Sequence, residues 1–309
     1  MKKRMIMNKK SNITFKEGYD EFIYSRKIKN LREATIKHYD KTYRVLESYF
    51  GADTEISNIT ERDVHEFIIY TSQRNLASQT ISSYIKDLAT ILHFFMASGW
   101  MLTFKISIPR ADNTPVETYS DSEIAKLLKR PNFARCDFTE LTNWAIVNFF
   151  LSTGIRLSSL INVRIKDIDF DNELCKITHT KNHKALIIPL NKKLISVIHE
   201  YLRYRGGSLD DYLFCNTYGE QINKGTLSRN LHKYNYNRGV STTGIHRFRH
   251  TFAKKFILSG GSIYALEKLL GHSSLTVTEH YINLIVSDIS SDINQHNILN
   301  EFERKRIKM

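Results

Sequence analysis

Two arginines and a histidine of this chain have the types and spacing needed to bind a phosphate group. Arg156 follows the glycine in "FFLSTGIR", and Arg249 lies three residues after His246 in "GIHRFRHTFAKKF". A spacing of three places His246 and Arg249 on the same side of a helix. Two guanidinium groups can hold two phosphate oxygens in a geometry that lysine cannot match. These residues therefore predict a site for a phosphate or its esters.

A nucleophile and groups that handle protons could complete such a site. Tyr281, nine residues after His272 in "LLGHSSLTVTEHYINL", offers a hydroxyl nucleophile. His246 and His272 titrate near neutral pH and can take or share its proton. Lys181, on the expected turn of "THTKNHKALIIPL", could reach the same phosphate from a hairpin. Each of these residues alone is more simply a surface charge or a structural side chain, so only the combination indicates catalysis.

The composition favours a polyanionic partner. The 309 residues include 45 Lys and Arg against 32 Asp and Glu, which gives a net charge of +13. This surplus suits nucleic acid first and an acidic membrane surface second. Cys136, Cys175 and Cys215 form no CxxC pair, which argues against a zinc site or a disulfide framework and favours the cytoplasm. The basic start "MKKRMIMNKK" has no apolar run behind it, and no segment is apolar over the roughly 18 residues of a membrane span.

Residues 1–102 predict a small domain of four helices. A first helix is expected near Phe15 to Tyr24, and apolar residues recur at steps of three and four before Gly51. Thr60 is expected to cap the third helix, and "SQTISSYIKDLATILHFFMASGW" has one long apolar face. The exposed faces are expected to carry the basic residues Arg26, Lys27, Lys29, Arg74 and Lys86. As single positions, these are more simply solvated charges than phosphate contacts.

A linker and a second, mixed domain are predicted to follow. Residues 103–118 contain two prolines and have no helical period. Residues 119–286 begin with a capping box of Ser120 and Glu123, continue with an apolar helix that ends at Gly154, and include a β-hairpin before the helices resume. Residues 287–309 predict one further amphipathic helix.

Four motifs of the second domain resemble those of the tyrosine recombinase (phage integrase) family. "STGIRLSSL", "THTKNHKALIIPL", "HRFRHTFA" and "LLGHSSLTVTEHY" occur in the family's order and at roughly its spacing. The resemblance covers residues 120–285, and the helical residues before them are similar to the family's core-binding, SAM-like domain. It implies a mainly α fold with a small β-sheet, in which a four-helix core-binding domain precedes an α+β catalytic domain.

The resemblance also implies which residues bind the phosphate. Arg156 matches the first catalytic arginine, and His246 and Arg249 match the histidine and the second arginine. His272 stands where the family has histidine or tryptophan. The family usually has an acidic residue three positions after the first arginine, where this chain has Ser159. This departure concerns how firmly the neighbouring groups are oriented and leaves the reaction type unchanged.

Lys181 and Tyr281 match the residues that would break and form bonds. Lys181 corresponds to the hairpin lysine that serves as general acid toward the leaving 5′ oxygen, and Tyr281 to the nucleophile. The chain is accordingly expected to be a site-specific DNA recombinase that cleaves and rejoins DNA through a 3′-phosphotyrosine, without cofactor or metal. Integration, excision or resolution of DNA elements would all use this reaction.

The expected partner is double-stranded DNA with paired recognition sites, bound by a homotetramer. The sequence does not identify any accessory protein. The spacing before the first helix favours a simple Xer-like or mobile-element enzyme without a separate arm-binding domain. Residues 287–309 are expected to dock in a neighbouring protomer, with folding back on their own protomer as the alternative. Two other functions use similar residues: a type IB topoisomerase, and a DNA-binding protein that has kept the fold without catalysis.

Overall fold

The structure is a computed structural model that describes residues 13–109, 117–178 and 185–271. It divides the chain into two compact units, residues 1–114 and 115–309, and the division falls within the linker predicted at residues 103–118. Each unit is described by itself.

The described part of the first unit contains four α-helices. They are α1 (Phe15–Ile28), α2 (Glu33–Phe50), α3 (Glu61–Ser72) and α4 (Ser78–Ala97), with a 3-10 turn at Ile56–Asn58. The predicted cap of α3 is confirmed, because the Thr60 hydroxyl accepts a hydrogen bond from the Asp63 N–H. Helix α1 is four residues longer than predicted, and it ends at Ile28 instead of Tyr24.

Aromatic side chains form a large part of the core of the first unit. Phe15, Phe22 and Phe95 are fully buried, and the Tyr19 and Tyr43 rings stack with centroids 3.9 Å apart. Such ring pairs contribute about 0.5–1.5 kcal/mol beyond the area they bury. The core therefore rests on residues from α1, α2 and α4 packed ring against ring.

The prediction of an exposed Arg26 is wrong. Its side chain is half-buried, with the guanidinium carbon 4.4 Å from the centroid of the Phe22 ring, a cation–π contact. The other four predicted surface residues, Lys27, Lys29, Arg74 and Lys86, are exposed. The alkyl stem of Arg26 covers aromatic surface, so this residue belongs in part to the core.

The second unit combines helices with one small sheet. Its described helices are α5 (Asp121–Leu128), α6 (Phe138–Thr153), α7 (Leu157–Leu160), α8 (Lys192–Arg205), α9 (Lys224–Asn237), α10 (Ile245–Leu258) and α11 (Ile263–Leu270). The strands are β1 (Ile168–Asp169), β2 (Leu174–Ile177) and β3 (Leu186–Pro189), antiparallel in the order β1-β2-β3 with Cys175 opposite Ile188. The mainly α fold with a small β-sheet is confirmed.

Helix α6 lies at the centre of this unit and positions the segment that follows it. It is apolar nearly all round, as expected of a helix covered on every side, and packs against α5, α8, α9 and α10. It ends where predicted, at Gly154, which takes a left-handed conformation with φ of 61°. A Cβ at this glycine would lie 2.4 Å from the Phe252 ring, so both the conformation and the space require glycine.

Candidate active site

Arg156 lies at the start of α7, immediately after the turn that Gly154 and Ile155 make at the end of α6. Its side chain is half-buried, and its Nη1 donates to the carbonyl oxygen of Leu270 at 3.1 Å and to that of Gly271 at 3.5 Å. The guanidinium is therefore held against the C-terminal end of α11. The last carbonyl groups of a helix have no partner within the helix and carry partial negative charge, which suits a cation.

Arg249 reaches the same carbonyl from α10. Only 5% of its surface is exposed, and its Nη2 donates to Leu270 O at 2.9 Å while Nη1 donates to Gly154 O at 2.8 Å. Two guanidinium groups thus share one acceptor, the Leu270 carbonyl. This acceptor brings together two arginines that lie 93 residues apart in the sequence, at positions 156 and 249.

His246 lies in the first turn of α10 and is exposed to solvent. Desolvation of its ring by nearby protein atoms, followed by the charges of Arg249 and Arg156, lowers the pKa of this histidine below its usual range. The imidazole is therefore favoured in its neutral form, in which one nitrogen can accept a proton. The influence of both arginines on its pKa places all three residues in one electrostatic environment.

The sequence analysis missed His250, which lies one helical turn after His246. The two imidazole centroids are 6.4 Å apart. Burial, then the neighbouring His246 and Arg249, lowers the pKa of His250 to about 4. The signal for this residue was its spacing of four from His246 on a helix that was already predicted.

The three phenylalanines of α10 pack against two different clusters. Phe248 packs into the main core of the unit, whereas Phe252 and Phe256 pack against the small cluster formed with Leu266 and other residues of α11. Arg249 is buried, whereas Phe252 and Phe256 are only partly buried. The side of α10 that carries Arg249 is therefore covered by protein as well.

Three of the predicted site residues, Lys181, His272 and Tyr281, lie outside the described residues, and so does the tail at 287–309. Their predicted roles stay predictions. Within the described ranges, no group of three His, Cys, Asp or Glu side chains is placed to hold a metal ion. Over the same ranges, no helix has the length and apolar character needed to cross a membrane.

Taken together, a mainly helical unit with a small sheet holds two converging arginines beside a neutral histidine. This arrangement is suited to stabilising negative charge on a phosphate group. The model of the phage integrase family matches residues 119–287, and that of the phage integrase SAM-like domain matches residues 14–106. The chain belongs to the phage integrase family.

Individual relatives agree with this assignment. The chain is similar to a tyrosine recombinase of Thermosipho africanus, with 26% identity over 275 residues that cover 84% of this chain and 92% of the relative. It is also similar to the tyrosine recombinase XerA of Saccharolobus solfataricus, with 25% identity over 281 residues, 89% of this chain and 90% of the relative. The chain is a site-specific recombinase that cleaves and rejoins DNA.

A solved structure with a similar fold is that of the Tn1549 transposon integrase in complex with circular intermediate DNA. The two share a TM-score of 0.72 and 19% identity, over 90% of this chain and 99% of that chain. This likeness covers both units and supports the fold.

Proposed function

We propose that Arg156, Lys181, His246, Arg249, His272 and Tyr281 act together on one scissile phosphate of DNA. In this proposal the two arginines bind the non-bridging oxygens and stabilise the negative charge that builds up during the reaction. Preorganised positive charge of this kind is commonly the largest contribution to lowering a reaction barrier. The observation that carries the proposal is the shared hydrogen bonding of Arg156 and Arg249 to Leu270 O.

The reaction exchanges one phosphate ester for another. The Tyr281 oxygen attacks phosphorus, the bond from phosphorus to the 5′ oxygen breaks, and a 3′-phosphotyrosine forms. Lys181 gives a proton to the leaving 5′ oxygen, and His246 or His272 takes the proton of the tyrosine. Attack by a 5′-hydroxyl of the partner duplex reverses these steps and releases Tyr281. The number of ester bonds stays constant, so no ATP is needed.

The neutral state of His246 fits this role. A proton acceptor must be unprotonated before the reaction, and the lowered pKa of this histidine favours that state at neutral pH. In this proposal the two arginines attract the phosphate, and they add to the desolvation that keeps His246 able to accept a proton.

The assembly that we propose is a homotetramer on double-stranded DNA with paired recognition sites, in the cytoplasm. The net charge of +13 supports binding to the DNA backbone. Residues 287–309 would dock in a neighbouring protomer and link placement of Tyr281 to assembly. Integration, excision and resolution are all compatible with this assembly.

A nicked suicide duplex tests the chemistry. Such a substrate, labelled and nicked near the cleavage position, traps a covalent complex that a denaturing gel resolves. We expect the wild-type protein to form this complex in excess EDTA, and Tyr281→Phe to bind the duplex without forming it. The matched control is Tyr264→Phe, which removes the hydroxyl of a tyrosine that is 64% exposed on α11. Adduct from Tyr281→Phe but not from Tyr264→Phe would assign the nucleophile to Tyr264, and loss on chelation with recovery in Mg²⁺ would contradict a metal-free reaction.

Truncation tests the assembly. Ending the chain after Ser291 should leave binding to a one-site duplex nearly unchanged while cooperative binding to a two-site duplex falls. Gel shifts on the two duplexes measure both quantities. Full cooperativity together with a lower thermal stability would instead indicate that the tail packs on its own protomer.

A further inference from the structure

The segment that joins the end of the predicted linker to the first turn of α5 lies along the helix that carries His246 and Arg249. We call this segment, residues 117–123, the strap. The Glu117 carboxylate forms an ion pair with Arg247, the Tyr119 N–H donates to Thr251 Oγ1 at 2.9 Å, and Asp121 forms an ion pair with Lys255. Alternate residues of the strap, at 117, 119 and 121, thus contact residues of α10 that are four positions apart, at 247, 251 and 255.

The spacing of these three contacts is geometrically matched, because the chain between Glu117 and Asp121 precedes the first turn of α5. Two residues of extended chain span about 6.6 Å, and four residues of an α-helix span about 6 Å. Positions 247, 251 and 255 also lie on one face of α10 because they are four residues apart. The strap and the helix can therefore stay in step over three successive contacts, which fixes both the rotation and the axial position of α10.

Tyr119 anchors the strap to the core. It is 2% exposed, its ring centroid lies 4.9 Å from that of Phe248, and its hydroxyl accepts a hydrogen bond from Asn235 Nδ2 at 2.9 Å. The Arg247 guanidinium lies over the same ring at 5.6 Å. Arg247 and Phe248 lie between His246 and Arg249 in the sequence. Both of them pack against Tyr119 of the strap.

Thr251 joins the strap to the backbone of α10. Its hydroxyl accepts from the Tyr119 N–H and donates to the Arg247 carbonyl at 2.8 Å, so one buried oxygen links both segments. The start of α10 has Gly244 at its N-cap, with no hydrogen bond from a capping side chain. The strap extends to this start, since Glu123 Oε1 accepts from Thr242 Oγ1 at 2.8 Å. The strap therefore also contacts the segment just before α10, close to the turn that carries His246.

We propose that the strap is a positioning element for catalysis, in which Thr251 and Tyr119 hold α10 so that His246 and Arg249 meet the scissile phosphate. The proposal rests on the proposed roles of those two residues. It makes the segment that leads out of the linker a determinant of cleavage rate. Thr251 acts through α10 and is a positioning residue.

Single-turnover cleavage of the nicked duplex, measured over a range of protein concentrations, tests this role. Thr251→Val keeps the shape of the side chain and removes the hydroxyl. We expect its maximal cleavage rate to fall about tenfold or more, as small displacements of reacting groups commonly cause, while the half-saturating concentration stays within about twofold of the wild-type value. Thr251→Ser restores the hydroxyl and should recover most of the rate.

The matched control is Thr142→Val in α6. Thr142 is 3% exposed, and its hydroxyl donates to a helix carbonyl, that of Phe138, and lies 3.4 Å from the Tyr201 hydroxyl. This variant loses a buried hydroxyl in the same unit, so we expect a lower melting temperature with an unchanged maximal rate. A rate loss in Thr142→Val equal to that in Thr251→Val would overturn the proposal, because the effect would then follow general stability.

Other outcomes also decide. A folded Thr251→Val protein with the wild-type rate, or a Thr251→Ser protein as slow as the valine variant, overturns the strap. If Thr251→Val does not fold, Glu117→Gln at the exposed end of the strap decides, and its full rate would count against the proposal. Arg249→Lys distinguishes failure of the strap proposal from failure of the proposed function. If Arg249→Lys lowers the maximal cleavage rate and Thr251→Val does not, only the strap proposal is rejected. If Arg249→Lys keeps the wild-type rate, the proposed role of Arg249 is rejected.

Discussion

The two units of this protein bury charged groups in different ways. In the first unit, the Asp87 carboxylate on α4 is 8% exposed, accepts a hydrogen bond from Thr42 Oγ1 at 2.6 Å, and lies 2.9 Å from His38 Nε2. In the second unit, the Arg249 guanidinium is 5% exposed and donates to the carbonyl oxygens of Gly154 and Leu270. The Asp87 carboxylate therefore contacts two side chains, one of them ionisable, whereas two of the contacts of Arg249 are with backbone carbonyl oxygens.

Under the roles proposed for the arginines, this difference separates a structural site from a functional one. A carbonyl oxygen fixes the direction of a guanidinium without carrying a full negative charge, so the hydrogen bonds to Gly154 and Leu270 do not cancel the positive charge of Arg249. Desolvation lowers the pKa of His246 most, and the positive charges of Arg249 and Arg156 lower it further. Burial of charge lowers stability unless it is compensated, and its presence at the arginine site is consistent with a role in catalysis.

Replacing one buried charged residue in each unit is expected to give the largest difference between an effect on cleavage rate and an effect on stability. Arg249→Lys keeps the positive charge, but an ammonium group cannot reproduce the planar pair of hydrogen bonds to Gly154 and Leu270. We expect the maximal rate of covalent-complex formation to fall by about 10²–10³, the range seen when one group that stabilises a developing charge is removed. Single-turnover cleavage of the nicked duplex measures the rate.

Asp87→Asn is the matched change in the first unit. It removes the carboxylate charge while keeping the shape, and weakens the contacts with Thr42 and His38. We expect a loss of about 1–3 kcal/mol in the free energy of unfolding, with the maximal cleavage rate unchanged at saturating DNA. The comparison would fail if Asp87→Asn slowed cleavage as much as Arg249→Lys, or if Arg249→Lys changed only the stability.

The concentration of positive charge around α10 also predicts sensitivity to acid. The pKa of His250 is lowered to about 4 by burial and by its neighbours His246 and Arg249, against an ordinary value of about 6.5. Below pH 6.5 the unfolded chain takes up a proton that the folded protein does not accept until about pH 4. The folded state therefore loses stability as the pH falls through this window, by on the order of 2–3 kcal/mol for this group.

Thermal or urea unfolding at pH 7 and pH 4.5 measures this effect, with His250→Gln as the comparison. Glutamine does not titrate, so the variant should lose less stability between the two pH values than the wild-type protein does. An equal loss in both proteins would show that the acid sensitivity comes from other groups.

The sequence predicted those features that depend on neighbours along the chain. Thr60 and Ser120 cap helices through residues three positions away, and Gly154 ends α6 through its own conformation, so local patterns were enough. The pattern of reactive residues likewise pointed to Arg156, His246 and Arg249, which the structure brings together.

The features that were missed depend on contacts between distant segments. Nothing near Arg26 in the sequence shows that its guanidinium lies over the Phe22 ring and its stem covers the core. Similarly, the acceptor common to both arginines is a backbone carbonyl at the end of α11, and no residue type marks it in advance. The depth at which Arg249 is buried also follows from packing of α6, α10 and α11, which periodicity alone does not specify.

The smallest expected effect concerns Ser159, where the family usually has an acidic residue. Ser159 is 5% exposed in α7, and its N–H donates to the Arg156 carbonyl at 2.9 Å, a bond that does not depend on the side chain. An acidic side chain at this position would neutralise part of the positive charge of the arginine site. It would then play the role that His38 plays beside Asp87 in the first unit. A serine hydroxyl carries no charge, so we expect Ser159→Ala to change the maximal cleavage rate by less than about threefold, in line with the loss of one neutral hydrogen-bonding group.

Ser158→Ala, at the neighbouring and less buried position of α7, is the matched control in the same nicked-duplex assay. If Ser159→Ala cut the rate far more than Ser158→Ala, the Ser159 hydroxyl would itself orient the arginine site, as the side chains of Thr42 and His38 contact Asp87 in the first unit.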